Sequence, residues 1–171
     1  MNTEQETAKR QTEGLFRGYA PHEERPLAAY ALLIALFNAG FGGALVASRR
    51  AGRRIPERIA ITDLLLLGAA TQKLSRLLAK DLVTSVLRAP FTEFGDYSGQ
   101  GEVNESARGH GLQKAIGELV TCPFCVGQWV SAGFVSGFIA SPRVTRLVAS
   151  VFATLSIADF LQLAYGRARP E

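Results

Sequence analysis

Four apolar stretches, separated by polar and charged segments, dominate the hydrophobic pattern of this chain. The stretches at residues 27–48 and 123–141 contain no Asp, Glu, Lys or Arg. The stretch at 144–165 is mostly apolar, with Asp159 inside its far end. Uncharged runs of about 20 residues match the hydrocarbon thickness of a lipid bilayer. These three stretches therefore predict transmembrane helices.

The remaining stretch, at residues 59–79, is less clearly a membrane span. Asp63 interrupts its first half, and Lys73 and Arg76 lie near its end. Lys and Arg side chains near the end of a span can extend toward the lipid headgroups. We therefore expect this stretch to cross the membrane, with an interfacial or re-entrant helix as the alternative.

The predicted fold class is all-α, a polytopic helical membrane protein with four transmembrane helices. The membrane domain covers residues 27–166, between a polar N-terminal tail at 1–26 and a C-terminal tail at 167–171. Between the second and third helices, residues 81–91 predict an amphipathic element, and the glycine-rich residues 95–111 predict a flexible loop. The first 26 residues show no cleavable secretory signal, so we expect the membrane helices themselves to direct insertion.

The distribution of charge supports a multi-pass location in the bacterial cell membrane. The 19 Lys and Arg residues exceed the 15 Asp and Glu residues, giving a net charge of +4, and they cluster outside the apolar stretches. Such clusters are typical of topology signals, so we expect a lipid bilayer as partner and no nucleic acid. The cluster at residues 49–54 would also meet anionic headgroups. Counting Lys and Arg favours a cytoplasmic location for the two cysteines, in both the four-span and the three-span arrangement.

Both cysteines of the chain, Cys122 and Cys125, lie at the start of the third predicted span. Three interpretations remain open. In the first, the pair is a thiol-disulfide motif, which needs a partner thiol or quinone. In the second, it is half of a zinc site, which needs His110, Glu118 or a second subunit as further ligands. In the third, it is a structural turn with reduced thiols. We favour the structural turn, and we expect no cofactor, with zinc as the exception to be tested.

The charged residues inside the apolar stretches form a second candidate site. Lys73 and Asp159 lie at similar depths in the second and fourth spans, so we predict that Lys73 or Arg76 pairs with Asp159, with Glu118 close by. Pairing lowers the cost of a charge in the membrane. Structural pairing is the favoured interpretation, and an ion or proton pathway is the alternative. Asp63 has no obvious partner.

Several blocks of the sequence resemble a known family. They are TQKLSRLLAKD at 71–81, LRAPF at 87–91, GELVTCPFC at 117–125 with Trp129, and Asp159-Phe160. Together they are similar to a bacterial family of small membrane proteins catalogued as domain of unknown function thirteen-sixty. The resemblance implies no activity, leaves the first span outside the family core, and favours residues 59–79 as part of the membrane domain. The motif-matched positions are Lys73, Arg76, Asp81, Arg88, Glu118, Cys122 and Cys125.

These observations predict a structural or interaction component of the bacterial inner membrane. A four-residue spacing of small side chains on the first span (Ala35, Ala39, Gly43 and Ala47) suggests a homodimer or a membrane-protein partner. No phosphate-binding loop, serine elbow or catalytic carboxylate pair is present, so an enzyme is the less favoured class. The alternatives are a membrane thiol oxidoreductase or metal-binding protein using Cys122 and Cys125, and a small transport or channel subunit using Asp63, Lys73 and Asp159.

Overall fold

The computed structural model describes residues 19–20 and 25–169, so most of the predicted tail at 1–26 lies outside the described residues. The described chain is mostly helical with one small sheet. Its elements in order are α1 (Leu27–Arg50), α2 (Ile61–Lys80), α3 (Ser85–Arg88), β1 (Thr92–Gly99), β2 (Glu102–Ala107), α4 (Gly111–Thr121), α5 (Pro123–Ala140) and α6 (Pro142–Ala168).

The central helix of the bundle is α2, which packs along both α5 and α6. Its buried residues Leu67 and Ala70 join Phe134 and Phe138 of α5 and Ala149 of α6 in one apolar core. The small side chains of the two alanines let α2 and α6 approach closely. By contrast, α1 packs on α4 and α5 and has no buried residue.

Contacts between helices fix their directions. Near the starts of α2 and α6, Asp63 contacts Arg146, and near their ends Lys73 contacts Asp159, so these two helices run parallel. The start of α5 lies beside the end of α2, because Gly127 is close to Ser75. The helices α2 and α5 are therefore antiparallel. The α3 helix, the hairpin and both cysteines lie at the end of the bundle where α5 begins, which we call the cysteine end.

Three helices, α1, α5 and α6, are long and apolar enough to cross a membrane. They correspond to the predicted spans at 27–48, 123–141 and 144–165, and α2 corresponds to the less certain stretch at 59–79. The main difference in bounds is at α6, which begins at Pro142 and continues to Ala168. Proline suits the first turn of a helix, so Ser141 alone separates α5 from α6.

The prediction of an all-α fold with a flexible loop at 95–111 is wrong in this segment, because residues 92–107 form an antiparallel hairpin. Gly99 pairs with Glu102, which leaves a two-residue turn at Gln100 and Gly101. Both turn residues have positive φ, 49° and 82°, as a type I′ hairpin turn requires. Gly99 and Gly101, which were among the glycines that suggested a flexible loop, therefore allow the turn of a hairpin.

The hairpin is held against α4 by close packing at Gly117. A Cβ atom at this position would lie 2.8 Å from the Cβ of Ala107 on β2, and still closer to the backbone oxygen of Phe91. Only glycine allows this approach without displacing the backbone. The glycine that opens the motif GELVTCPFC thus sets the distance between α4 and the sheet.

Candidate functional site

The two cysteines lie at the junction between α4 and α5. Cys122 immediately precedes α5, and Pro123 occupies the first turn of that helix. The backbone N–H of Cys125 donates to Sγ of Cys122 at 3.3 Å, so Cys122 caps α5. Both thiols are free, with Cys125 exposed and Cys122 half-buried. The motif is therefore a helix cap that carries two reduced, accessible sulfur atoms.

The surroundings of Cys122 favour its thiolate form. Partial burial raises the pKa of the Cys122 thiol, but hydrogen bonds from the Cys125 thiol and from the amides of Cys125 and Phe124, together with the charge of Lys80, outweigh this effect. The net result is a pKa of Cys122 below its ordinary value. The thiolate is the nucleophilic form of cysteine, so this lowering of the pKa favours the reactive form of Cys122.

The geometry offers no complete zinc site. Zinc in a structural site takes four ligands, and the sequence suggested His110, Glu118 or a second subunit as sources of the missing ones. His110 precedes α4, and Glu118 accepts a hydrogen bond from the hydroxyl of Tyr30. Within residues 19–20 and 25–169, no three His, Cys, Asp or Glu side chains are grouped so that they could hold a metal ion.

A partly open cavity of about 550 Å³ lies beside Cys125, between α1, α4 and α5. The ring of Trp129 meets Phe37 edge-on, with the ring centroids 5.3 Å apart, and both rings line this cavity. Glu118 faces the same space. The expectation that Glu118 lies close to Lys73 and Arg76 is therefore not met, because its hydrogen bond goes to Tyr30 on α1.

The predicted charge cluster is divided between two ion pairs. Nζ of Lys73 donates to Asp159 at 2.5 Å, as the equal depth of these residues predicted. Arg76 instead donates two hydrogen bonds to Glu102 on β2, at 2.6 and 2.7 Å. Both pairs line a polar cavity of about 830 Å³ between α2, α6 and the hairpin.

The expectation that Asp63 has no partner is wrong. Arg146 donates two hydrogen bonds to the carboxylate of Asp63, at 2.7 and 2.8 Å, and its guanidinium lies 5.0 Å from the centre of the Phe138 ring. The equal-depth argument used for Lys73 would have found this pair, because both residues lie near the starts of parallel helices. Apolar residues, including Leu67 and Ala70, separate the two ion pairs along α2.

The most enclosed charge in the described chain is Arg88, which the resemblance singled out without a role. Only 1% of Arg88 is exposed to solvent. All five N–H groups of a guanidinium can donate, and here five hydrogen bonds are present. Two go to the carboxylate of Glu105 at 2.8 and 3.0 Å, and the other acceptors are the Thr84 hydroxyl and the carbonyls of Leu78 and Asp81.

Thr92 completes this buried network, because its hydroxyl donates to Glu105 at 2.9 Å. The network joins the end of α2, the turn before α3, and both strands. The sequence placed Arg88 on an amphipathic surface element. Its apolar neighbours Val83, Val86 and Leu87 are exposed there, whereas Arg88 itself is buried. No local signal could have indicated the burial of Arg88, since its partner Glu105 lies in the segment that was predicted to be a flexible loop.

Comparison with known proteins agrees with the resemblance found in the sequence. A family model described as a protein of unknown function (DUF1360) matches residues 66–165. The chain belongs to this family. The matched region runs from within α2 to within α6, and it leaves out α1, as expected. A sporulation protein of Bacillus subtilis (strain 168), YjcA, is 28% identical over 102 residues, which is 58% of this chain and 86% of that protein. No solved structure shows a significant match.

The Arg88 network predicts a large difference between two arginine substitutions. Arg88→Met leaves the Glu105 carboxylate buried without its cation, so we expect the free energy of unfolding in detergent to fall by about 3–5 kcal/mol. Arg76→Met is the matched control, because Arg76 also forms a bidentate pair but is half-exposed, and it should cost only about 0–1 kcal/mol. Equal effects in the two variants would contradict the central role of Arg88.

Because the Cys125 thiol donates to Cys122 in the helix cap, we predict that the side chain at position 125 affects the pKa of Cys122. We compare Cys125→Ser, which keeps a hydroxyl donor, with Cys125→Ala, which removes it; each variant retains Cys122 as its single thiol. Losing the donor raises the pKa of Cys122, so alkylation by iodoacetamide should rise at higher pH in Cys125→Ala than in Cys125→Ser. The measurement is the rate of alkylation against pH. Identical midpoints would show that the side chain at 125 does not stabilise the thiolate.

Proposed function

We propose that this chain is a four-helix integral protein of the bacterial cell membrane that acts as an interaction component. In this proposal the helices hold an ordered module at the membrane surface, and the module binds a partner protein. We call the part formed by α3, the hairpin and α4 the surface module. The three long apolar helices support the membrane location.

The position of α2 supports a fourth crossing. This helix has 20 residues, which at about 1.5 Å per residue spans about 30 Å, the thickness of a hydrocarbon core. It packs along both α5 and α6, so it occupies the same layer as these two apolar helices. Its charged residues Asp63 and Lys73 each have a partner on α6, which lowers the cost of placing them in lipid.

The observation that carries the interaction role is the buried Arg88 network. A connection that only joined two membrane helices could be short and irregular. Here one buried side chain fixes the surface module to the end of α2, and Arg76 adds a second link to the hairpin. The module therefore keeps a fixed orientation relative to the helices, as a docking surface requires.

The surface module presents apolar side chains to its surroundings. Phe94 and Tyr97 are 58% and 72% exposed, and their rings contact each other at 5.2 Å between centroids. Aromatic residues of this kind are common at the centres of protein interfaces. Since the relative from Bacillus subtilis is named a sporulation protein, we propose a membrane process of that kind as the setting and a protein of the same membrane as the partner.

Labelling from each side of the membrane tests the four-helix arrangement. In a Cys122→Ser/Cys125→Ser background, single cysteines are introduced by Ala51→Cys at the end of α1 and by Ser98→Cys in the hairpin. With four crossings and a cytoplasmic surface module, an impermeant maleimide should label the first in intact cells and the second only in inverted vesicles. Labelling of both positions from one side would show that α2 does not cross.

Photo-crosslinking in cells tests the interaction role. The substitution Tyr97→p-benzoylphenylalanine places a photoreactive group on the surface module, and Tyr165→p-benzoylphenylalanine on α6 is the matched control. We expect one discrete protein adduct from position 97, none of the same mass from position 165, and loss of the adduct when Arg76→Met and Arg88→Met are added. Absence of an adduct at 97, or the same adduct at both positions, would contradict the proposal.

A further inference from the structure

The cavity beside Cys125 combines features that the proposed interaction role does not use. Its walls carry two aromatic rings, Phe37 and Trp129, and its polar groups include Tyr30, Gln128 and Glu118. Tyr30 and Trp129 lie near the starts of α1 and α5, the level at which aromatic side chains meet the membrane boundary. In the four-helix arrangement the cavity therefore lies where the headgroups meet the acyl chains.

We propose that this cavity binds the ring of a membrane quinone, which Cys122 and Cys125 reduce while they form a disulfide. The inference uses the four-helix arrangement proposed above, but it does not depend on a partner protein. The electron acceptor is identified by its chemistry: it must accept two electrons, dissolve in lipid, and carry a flat polar ring.

The cavity fits such a ring in size and in chemistry. A volume of about 550 Å³ is within the range of small-molecule sites, which run from about 300 to 1,000 Å³. Trp129 and Phe37 offer aromatic surface for the ring. The amide of Gln128 is a hydrogen-bond donor suited to one quinone carbonyl, whereas the hydroxyl of Tyr30 donates to Glu118. The open side of the cavity leaves room for an apolar tail.

The positions of the sulfur atoms fit the order of the reaction. Cys125 lines the cavity, so its sulfur adds to a ring carbon of the quinone. Cys122, one helical turn away, then attacks the sulfur of Cys125; the S–S bond forms, the S–C bond breaks, and the electron pair remains on the ring. Each thiol gives up one proton, and the quinone takes up two protons and two electrons to become the quinol.

The carboxylate of Glu118 faces the same cavity and is placed to relay the proton of Cys125 to the ring. The backbone amides of Cys125 and Phe124 still face Cys122 after the thiol of Cys125 has reacted, and they stabilise the thiolate that the second step needs. The disulfide returns to the dithiol by exchange with a thiol of another molecule, which is oxidised in turn. The overall reaction is the transfer of two electrons from thiols to a quinone.

Binding can be measured through Trp129, which is the single tryptophan of the chain. Decylubiquinone is added to the purified full chain in nanodiscs. Its ring carbons are all substituted, so a thiol adduct has no ring hydrogen to lose and is not trapped as a stable aryl thioether. We expect saturable quenching of the tryptophan fluorescence. Phe37→Ala should weaken the apparent affinity about tenfold, and the exposed control Phe160→Ala should leave it unchanged. Quenching that is linear in quinone concentration and equal in the unaltered chain, Phe37→Ala and Phe160→Ala would overturn the proposal.

Electron transfer is measured in the same samples without oxygen. We expect one quinol for each disulfide formed, and no quinol with Cys125→Ser or Cys122→Ser. Cys122 does not line the cavity, so Cys122→Ser should still show saturable quenching. Bound quinone with both thiols left reduced would overturn the redox step, and with it the proposal. None of these measurements involves the partner protein, so their failure is distinguishable from failure of the crosslinking experiment.

Discussion

The burial of one guanidinium group constrains the whole cysteine end of the molecule. A buried charge is tolerated only when its hydrogen bonds are complete, and Arg88 donates five. Its acceptor on Leu78 is a carbonyl in the last turn of α2, which has no partner within the helix. The same side chain therefore neutralises the negative end of α2 and binds Glu105. The hairpin has one orientation because only that orientation supplies Glu105.

The ion pairs of α2 show how a polar helix can occupy the centre of an apolar bundle. Asp63 and Lys73 lie toward opposite ends of the contact with α6, and each has its own partner there. Between them lie Leu67, Ala70 and other apolar residues, together with one hydrogen bond from the hydroxyl of Ser156 to Gln72. In lipid, close packing of small residues supplies the attraction between helices, while charges set register and direction. The two pairs fix α6 parallel to α2, and neither pair could form if one helix were reversed.

The sequence predicted the features that depend on local composition or on two residues lying at equal depth in neighbouring spans. Apolar stretches located the helices, and depth located the pair of Lys73 and Asp159. The hairpin was missed because its glycines also indicate a flexible loop, and the pairing of its strands depends on contacts with α4 at Gly117. The partner of Arg88 was missed for the same reason, since Glu105 reaches it only after the hairpin forms. The partner of Asp63 was missed because the equal-depth argument was applied only to Lys73 and Asp159.

At the cysteine end, the region matched by the family model carries the thiols, and α1, which lies outside that region, forms part of the cavity wall. Cys122, Cys125 and Glu118 lie inside the matched region, whereas Tyr30 and Phe37 belong to α1, outside it. The thiols and the carboxylate therefore lie in the part of the chain that the family model covers, and half of the cavity wall does not. The matched region thus positions the thiols, while α1 shapes the space beside Cys125. Because α1 has no buried residue and packs mainly against α4 and α5, that wall can change without disturbing the core around α2.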